Sequence, residues 1–380
     1  MSAISQYNSA IAISGSQIAG VYFKSHVYSL SPFIDEAVAK PRFFYSSALN
    51  TIVGLLICYD LDFARPALDL QEMGVKTIAM PFDWPSILPL FSTPMIQQAW
   101  SRTHGLKLIA SNLYQAGGGS GIFDSGKVLS FVPRSVEDIV VSTNLFAKKS
   151  SVSSSSAVIE NTLRHGQVDT SGKMDPGPRL VGEGGFQCHL SVYPLFSGSC
   201  SILQSIRDGD PIESGELVAN AIHHKTTCDA RVSLSMNSTS IETSSTYAVF
   251  AFDGIVSSSG TPDSLTLRVC AIMQCNGAGT LLFKNSKDLK NSYIEKSIGC
   301  DGDLVGSLFA NSVYLRTEIE DPGNTPSFLY PMASVADERL VSPSRLQVTE
   351  YPTRTNRITE LFFDSDGEAL FALSSYRVYS

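Results

Sequence analysis

Residues 52 to 84, IVGLLICYDLDFARPALDLQEMGVKTIAMPFDW, constrain the fold of this chain more than any other stretch. Ile52 to Ile57 is a continuous apolar run, the pattern of a strand buried on both faces. Cys58 follows directly, then Tyr59-Asp60, then a segment whose apolar residues (Phe63, Ala67, Leu68, Leu70, Met73) recur at helical spacing. Gly74 stands where a helix C-cap glycine would, a second strand is expected over Thr77 to Pro81, and Asp83-Trp84 come after it. The unit reads strand–Cys–helix–strand. It places one thiol at the carboxyl end of a buried strand, the end at which ligands bind in open α/β sheets. A cysteine taken alone is most often a buried structural residue, so the neighbours have to carry the case.

They do so through a resemblance. Cys58, Tyr59, Asp60, Phe63, Pro66, Ala67, Pro81, Trp84, Leu88 and Pro89 stand in one ungapped stretch. It resembles the segment around the catalytic cysteine of the nitrilase superfamily, in particular its vanin (pantetheinase) and biotinidase branch. That branch carries a Cys-Phe/Tyr-Asp-x-x-Phe-x-x-Pro-Ala run, then a strand, a Pro-x-x-Trp step and Leu-Pro. Upstream, a strand over Ala10 to Ser14, a turn at Gly15-Ser16 and a strand over Ile18 to Tyr22 lead into Lys24. With Tyr7-Asn8 this looks like the hairpin that precedes the family's catalytic lysine. Most lysines are solvated; the resemblance singles this one out.

Downstream, residues 94 to 105 (PMIQQAWSRTHG) read as a helix ended by Gly105, and Leu106 to Ser111 as another buried strand. Ser111-Asn112 and Gly119 to Ile122 resemble the family's Ser-Asn and Gly-Ser-Gly-Ile motifs. The Gly run at 117 to 121 lacks the lysine of a phosphate-binding loop, and Asp124-Ser125-Gly126 signals a hairpin.

The resemblance implies amide hydrolysis through a thioester. Cys58 would be the nucleophile, Lys24 the oxyanion stabiliser and the Tyr59 backbone amide a second donor, with Trp84, Asp83 and Asn112 lining the substrate pocket. The substrate would be a small linear amide of pantetheine or biotinyl type, with no cofactor and no metal. A papain-like trio of Cys58, His104 and an Asn or Asp lacks that family's local context. Two departures stand out. The family's second glutamate, a few residues after the lysine, has no counterpart between His26 and Ser31, and the first Glu is Glu36. The segment that carries the general-base glutamate is expected upstream of residue 1, so the chain reads as N-terminally truncated. Losing a general base costs on the order of 10²–10⁴ in rate. The alternative is a non-catalytic homologue that binds or scaffolds, and an open sheet edge would favour self-association.

The net charge of −8 with scattered Lys and Arg argues against nucleic-acid binding. No stretch reaches transmembrane length, and the first residues lack the pattern of a signal peptide. Cys188, Cys200, Cys228, Cys270, Cys275 and Cys300 all lie beyond residue 185, an even set that suggests up to three disulfides and an oxidising compartment. The sequon at Asn237 points to a secreted glycoprotein. Six of the seven residues from Ser150 to Ser156 are Ser, which marks a linker.

The expected fold is therefore α/β: a partial nitrilase-like α/β/β/α sandwich over 1–150, a Ser-rich linker over 151–185, and a β-rich vanin C-terminal-like domain over 186–380. Strands are expected there at Ala230 to Ser235, Tyr247 to Phe252, Ser264 to Met273, Ser327 to Met332 and Arg357 to Phe363. The run Tyr247-Ala248 to Asp253-Gly254, followed by Cys270 and Cys275, carries the resemblance to the vanin domain.

Overall fold

The computed structural model describes residues 5–28, 37–84, 92–113, 119–132, 186–190, 196–202, 204–205, 216–234, 246–257, 264–275, 278–279, 297–299, 308–320, 327–335, 339–365 and 369–379. The first part holds a hairpin of β1 (Ser9–Ser14) and β2 (Gln17–Phe23). It also holds a six-stranded sheet in chain order: β3 (Phe43–Ser46), β4 (Thr51–Leu55), β5 (Thr77–Phe82), β6 (Lys107–Asn112), β7 (Gly121–Asp124) and β8 (Lys127–Phe131). The central strands β4, β5 and β6 run parallel and the outer ones antiparallel. Crossovers carry the helices α1 (Ala67–Glu72) and α2 (Thr93–His104), as parallel pairing demands.

The buried runs read from sequence form these central strands: Val53, Leu55, Ile78, Met80 and Leu108 are all buried. Gly54 lies where a Cβ would stand 2.8 Å from Ile78 Cδ1 and 3.0 Å from Leu70 Cδ1, so α1 seats directly on β4. Helix α2 starts at Ser92, whose hydroxyl accepts from the Met95 N–H, and ends at Gly105 with φ 61°. The Asp124-Ser125-Gly126 signal is the β7–β8 turn, with both central residues at positive φ. The helical segment expected from Phe63 starts later: α1 begins only after Pro66, because a proline disfavours helix at the residue before it, and Cys58–Asp62 ahead of it forms a 3-10 turn.

The second part is almost wholly β. Its strands are β9 (Phe186–Leu190), β10 (Phe196–Ile202), β11 (Gln204–Ser205), β12 (Glu216–His223), β13 (Thr226–Leu234), β14 (Thr246–Ser257), β15 (Ser264–Cys275), β16 (Ala278–Gly279), β17 (Ser297–Gly299), β18 (Leu308–Glu320), β19 (Ser327–Val335), β20 (Arg339–Leu340), β21 (Leu346–Pro352), β22 (Asn356–Asp364) and β23 (Ala369–Tyr379). The pairings β10–β14–β15–β23–β19 make one sheet, and β12–β13–β18–β22–β21 make another. Strand β18 passes between them, pairing with β23 at its start and with β13 and β22 afterwards.

Period-2 alternation shows how the layers stack. On β15, Leu267, Val269, Ala271 and Met273 join the core shared with the first part, while Cys270 and Ile272 join the core between the two sheets. On β14, Phe250 and Phe252 face the first core and Val249 and Ala251 the second. This sheet is therefore a middle layer, buried on both faces. Polar bonds fix the junction: Gln98 Nε2 donates to Val341 O (2.8 Å), Arg102 to Leu346 O (2.8 Å) and Thr103 to Leu329 O (2.6 Å).

Candidate active site

Cys58 leaves β4 with φ 47°, a left-handed backbone that β-carbon-bearing residues seldom adopt. Such a conformation costs on the order of 1–3 kcal/mol and persists only where the surroundings over-determine it. Asp60 supplies that determination. Its Oδ2 accepts from the Ile57 N–H (2.9 Å) and the Tyr22 hydroxyl (2.8 Å), and its Oδ1 from the His26 N–H (3.1 Å). One fully buried carboxylate thus ties the thiol turn to the end of β2 and to the residues on either side of Lys24. His26 stacks on Phe63 with ring centroids 3.7 Å apart, and its Nε2 pairs with Arg65 O (2.8 Å).

Lys24 is 4% exposed, its backbone N–H bound to Asn8 O at 2.8 Å. Its charge acts on both Cys58 and Asp60. Burial pushes the Cys58 thiol up; Lys24 and the Asp83 backbone N–H, which bonds to the sulfur, pull it down, and the charges of Asp60 and Asp83 add to the rise. Asp60 is likewise pushed up by burial and drawn back by Lys24. The thiol is the free cysteine among the described residues. Lys24, Cys58 and Asp83, distant in sequence, thus meet at the carboxyl ends of β2, β4 and β5. Tyr59, next after the thiol, is buried edge-on against Tyr28 and Phe63.

Asn112, at the end of β6, spends its side-chain amide on the chain. Its Oδ1 accepts from the Trp84 N–H (2.9 Å), and its Nδ2 donates to Trp84 O (3.0 Å) and Thr93 Oγ1 (3.3 Å). It clamps the segment that carries Asp83 rather than presenting a free amide. Trp84 is half-buried, its indole N–H without a hydrogen-bond partner among the described residues; Asp83 is exposed.

Asp62 went unnoticed in the sequence. It is 3% exposed, its Oδ1 has no hydrogen-bond partner among the described residues, and burial pushes its pKa up to about 8. Its charge bears on Tyr330 of β19 and Tyr376 of β23. His104, of the papain-like trio, packs instead on Trp100, Phe328 and Tyr330, where burial lowers its pKa to about 4. No pattern of spacing signals Asp62; only the sandwich, folded against the turn, buries it. Among the described residues no cluster of His, Cys, Asp and Glu could hold a metal ion, and no helix is long and apolar enough to cross a membrane. The side chains of Cys188 and Cys275 lie outside the described residues, as do Asn237, Cys300, Leu88, Pro89 and the whole of 151–185.

The Vanin C-terminal domain family model matches residues 210–281. Pantetheine hydrolase VNN2 of Homo sapiens is 28% identical over 123 residues, 31% of this chain and 23% of that protein. Biotinidase of Rattus norvegicus is 30% identical over 111 residues, 29% of this chain and 21% of that protein. The chain is similar to the vanin/biotinidase branch of the nitrilase superfamily.

Its matches span about a fifth of the length of these curated relatives. Among solved structures, Nit3 of Saccharomyces cerevisiae, from the nitrilase superfamily, is 17% identical with a TM-score of 0.30, covering 34% of this chain and 49% of that one. The amidase from Nesterenkonia sp. AN1 is 19% identical with a TM-score of 0.27, covering 31% and 47%. The segment that matches the vanin C-terminal domain takes in β12 to β15, so it contributes strands to both sheets of the sandwich. It also contains the Cys228–Cys270 disulfide, which links one sheet to the other through the core between them. Cys200 is disulfide-bonded as well.

Proposed function

We propose that this chain is a vanin- or biotinidase-like amidohydrolase that cleaves a linear carbon–nitrogen amide through a thioester on Cys58. One observation carries the reading: a free thiol held in a left-handed turn at the carboxyl end of β4, with the Lys24 charge acting on it and the Asp83 N–H on its sulfur. The sulfur attacks the carbonyl, and the thiol proton passes through solvent to the nitrogen of the departing amine. Lys24 and the Tyr59 N–H stabilise the oxyanion, the amine leaves with a proton, and water then splits the thioester to the acid. Asp83 and Trp84 border the substrate, and Asn112 holds them in place. The names of the relatives favour pantetheine or a biotinyl amide as substrate.

The reading includes a catalytic unit over 1–150 and a β domain over 186–380. The Cys228–Cys270 disulfide supports an exported, oxidised protein. Exposed Ile11, Ile13 and Ile18 on the hairpin support self-association.

A second reading, a non-catalytic binding or scaffold homologue, draws on the raised thiol and on Asp60, whose oxygens are already taken by Tyr22, Ile57 and His26. The test is hydrolysis of pantetheine and a biotinyl amide by the purified chain, with intact mass recording any acyl adduct. Turnover abolished by Cys58→Ala and cut by at least a hundredfold by Lys24→Ala supports the amidohydrolase. A folded protein that forms no adduct and turns over neither amide supports the second reading.

A further inference from the structure

The charges around Cys58 do not cancel. Lys24 and Asp60 are both buried and oppose each other across the thiol turn. Asp83 is left over: it follows β5 as Cys58 follows its parallel neighbour β4, where Leu55 pairs with Ala79, its side chain faces solvent, and its charge and backbone N–H both act on the thiol. No hydrogen bond or ion pair engages its carboxylate among the described residues. Asn112, holding both the N–H and the C=O of Trp84, keeps Asp83 from swinging away.

We infer that Asp83 is a specificity-determining residue, selecting amides that carry a positive charge beside the scissile carbonyl and rejecting those that carry a negative one there. The inference rests on the amidohydrolase reading for its substrate but not for its geometry. A carbonyl carbon bonded to the Cys58 sulfur lies beside the residue whose N–H touches that sulfur. A charge on either arm of the amide then lies beside the Asp83 carboxylate, which no ion pair offsets among the described residues. At a separation of about 5 Å in a water-like dielectric, one such pair shifts a rate by on the order of fourfold, so cation and anion differ by roughly tenfold or more. A drier pocket widens the gap. Added salt narrows it, since the Debye length at 1 M is about 3 Å.

The test uses three methanethiosulfonates: the small neutral methyl reagent, and the cationic trimethylammonioethyl and anionic sulfonatoethyl reagents, which are of similar size to each other. In each, the thiolate displaces a sulfinate and forms a mixed disulfide, so reactivity at Cys58 is read by peptide mass without knowing the substrate. Rates are normalised to those of N-acetylcysteine amide. The expected cation-to-anion ratio for the full chain is on the order of tenfold, falling toward one in Asp83→Asn and in 1 M salt. A ratio unchanged by Asp83→Asn overturns the inference. So does a preference for the anion, which would show that Lys24 dominates. A Cys58 closed to all three reagents overturns it too, because an amide carbonyl could not reach that thiol either. The two readings fail separately. Charge selection at Cys58 without hydrolysis of any amide removes the amidohydrolase and keeps the role of Asp83; hydrolysis with an unshifted ratio does the reverse.

Discussion

The Tyr330 hydroxyl of the sandwich donates to the Leu61 carbonyl, three residues beyond the thiol, at 3.3 Å. The same hydroxyl lies 3.4 Å from His104 Nε2 on α2. One tyrosine of β19 therefore touches both the 3-10 turn and the helix that flanks the first sheet. The β domain is thereby part of the floor beneath the candidate site.

Tyr330→Phe keeps the ring and removes the hydroxyl, leaving the Leu61 carbonyl without that donor. The expected loss is about 1–3 kcal/mol of unfolding free energy, measured by urea denaturation. The alkylation rate of Cys58 by iodoacetamide should rise as the turn loosens. An unchanged rate together with unchanged stability would show that this bond does not brace the turn.

Asp62 gives a pH signature. Its folded pKa, about 8, stands above the ordinary 3.8, so between those values the folded state holds a proton that the unfolded state has released. Stability therefore falls as pH rises across that window and levels off above about 8. His104, lowered from 6.5 to about 4, acts in the opposite sense, but only below 6.5. From pH 6.5 to 8, then, Asp62 acts without that opposition, at up to roughly 1.4 kcal/mol per pH unit. Asp62→Asn should flatten the slope of unfolding free energy against pH in this range and stabilise the protein at pH 8. Parallel slopes for the two proteins would refute the assignment.

Asn112→Ala removes both side-chain bonds to Trp84: its N–H loses its acceptor, while its C=O keeps the Thr93 hydroxyl at 3.1 Å. A loss of about 1–3 kcal/mol is expected. Because Asp83 is freed with Trp84, the charge selectivity of Cys58 should shrink as well. A destabilised variant that keeps full selectivity would show that Asp83 is positioned by something else.

The Cys228–Cys270 disulfide closes a sequence separation of 42 residues. In the chain-entropy account, a loop of this size contributes about 4 kcal/mol. The double variant Cys228→Ser, Cys270→Ser should lose that amount in non-reducing urea titrations. Wild-type protein under reductant, which also opens the disulfide of Cys200, should lose at least as much.

The centre of the first sheet was legible because β4 and β5 are short, largely buried apolar runs, a pattern carried by adjacent residues; the mostly exposed β3 was not. Strand β12 was not foreseen, nor were β18, β21 and β23. Strand β12 buries only Leu217 and Ala221 among exposed and half-buried positions, and β18 sets charged Arg316, Glu318 and Glu320 among its apolar residues. Their partners lie far away in sequence, so no local window contains the contacts that stabilise them. Cys58, Lys24, Asp83 and Asn112 could be singled out as candidates because each stands in or beside a stretch that carries the family resemblance. Asp62 could not, since its isolation comes from Tyr330 and Tyr376, more than 260 residues later.

Taken by itself, the order of residues determined the strand–thiol–helix–strand unit, the two helix ends at Gly74 and Gly105, the turn at Ser125-Gly126, and the β character of the second part. Each follows from the backbone preferences of neighbouring residues and from apolar spacing along one segment. Only the tertiary structure decided that Cys58 would sit at positive φ, that Asp60 would bind Tyr22 and His26, that Asn112 would clamp Trp84, and that Asp62 would be sealed under the sandwich. These depend on dielectric and hydrogen-bond geometry, which exist only once distant segments have excluded water from between them.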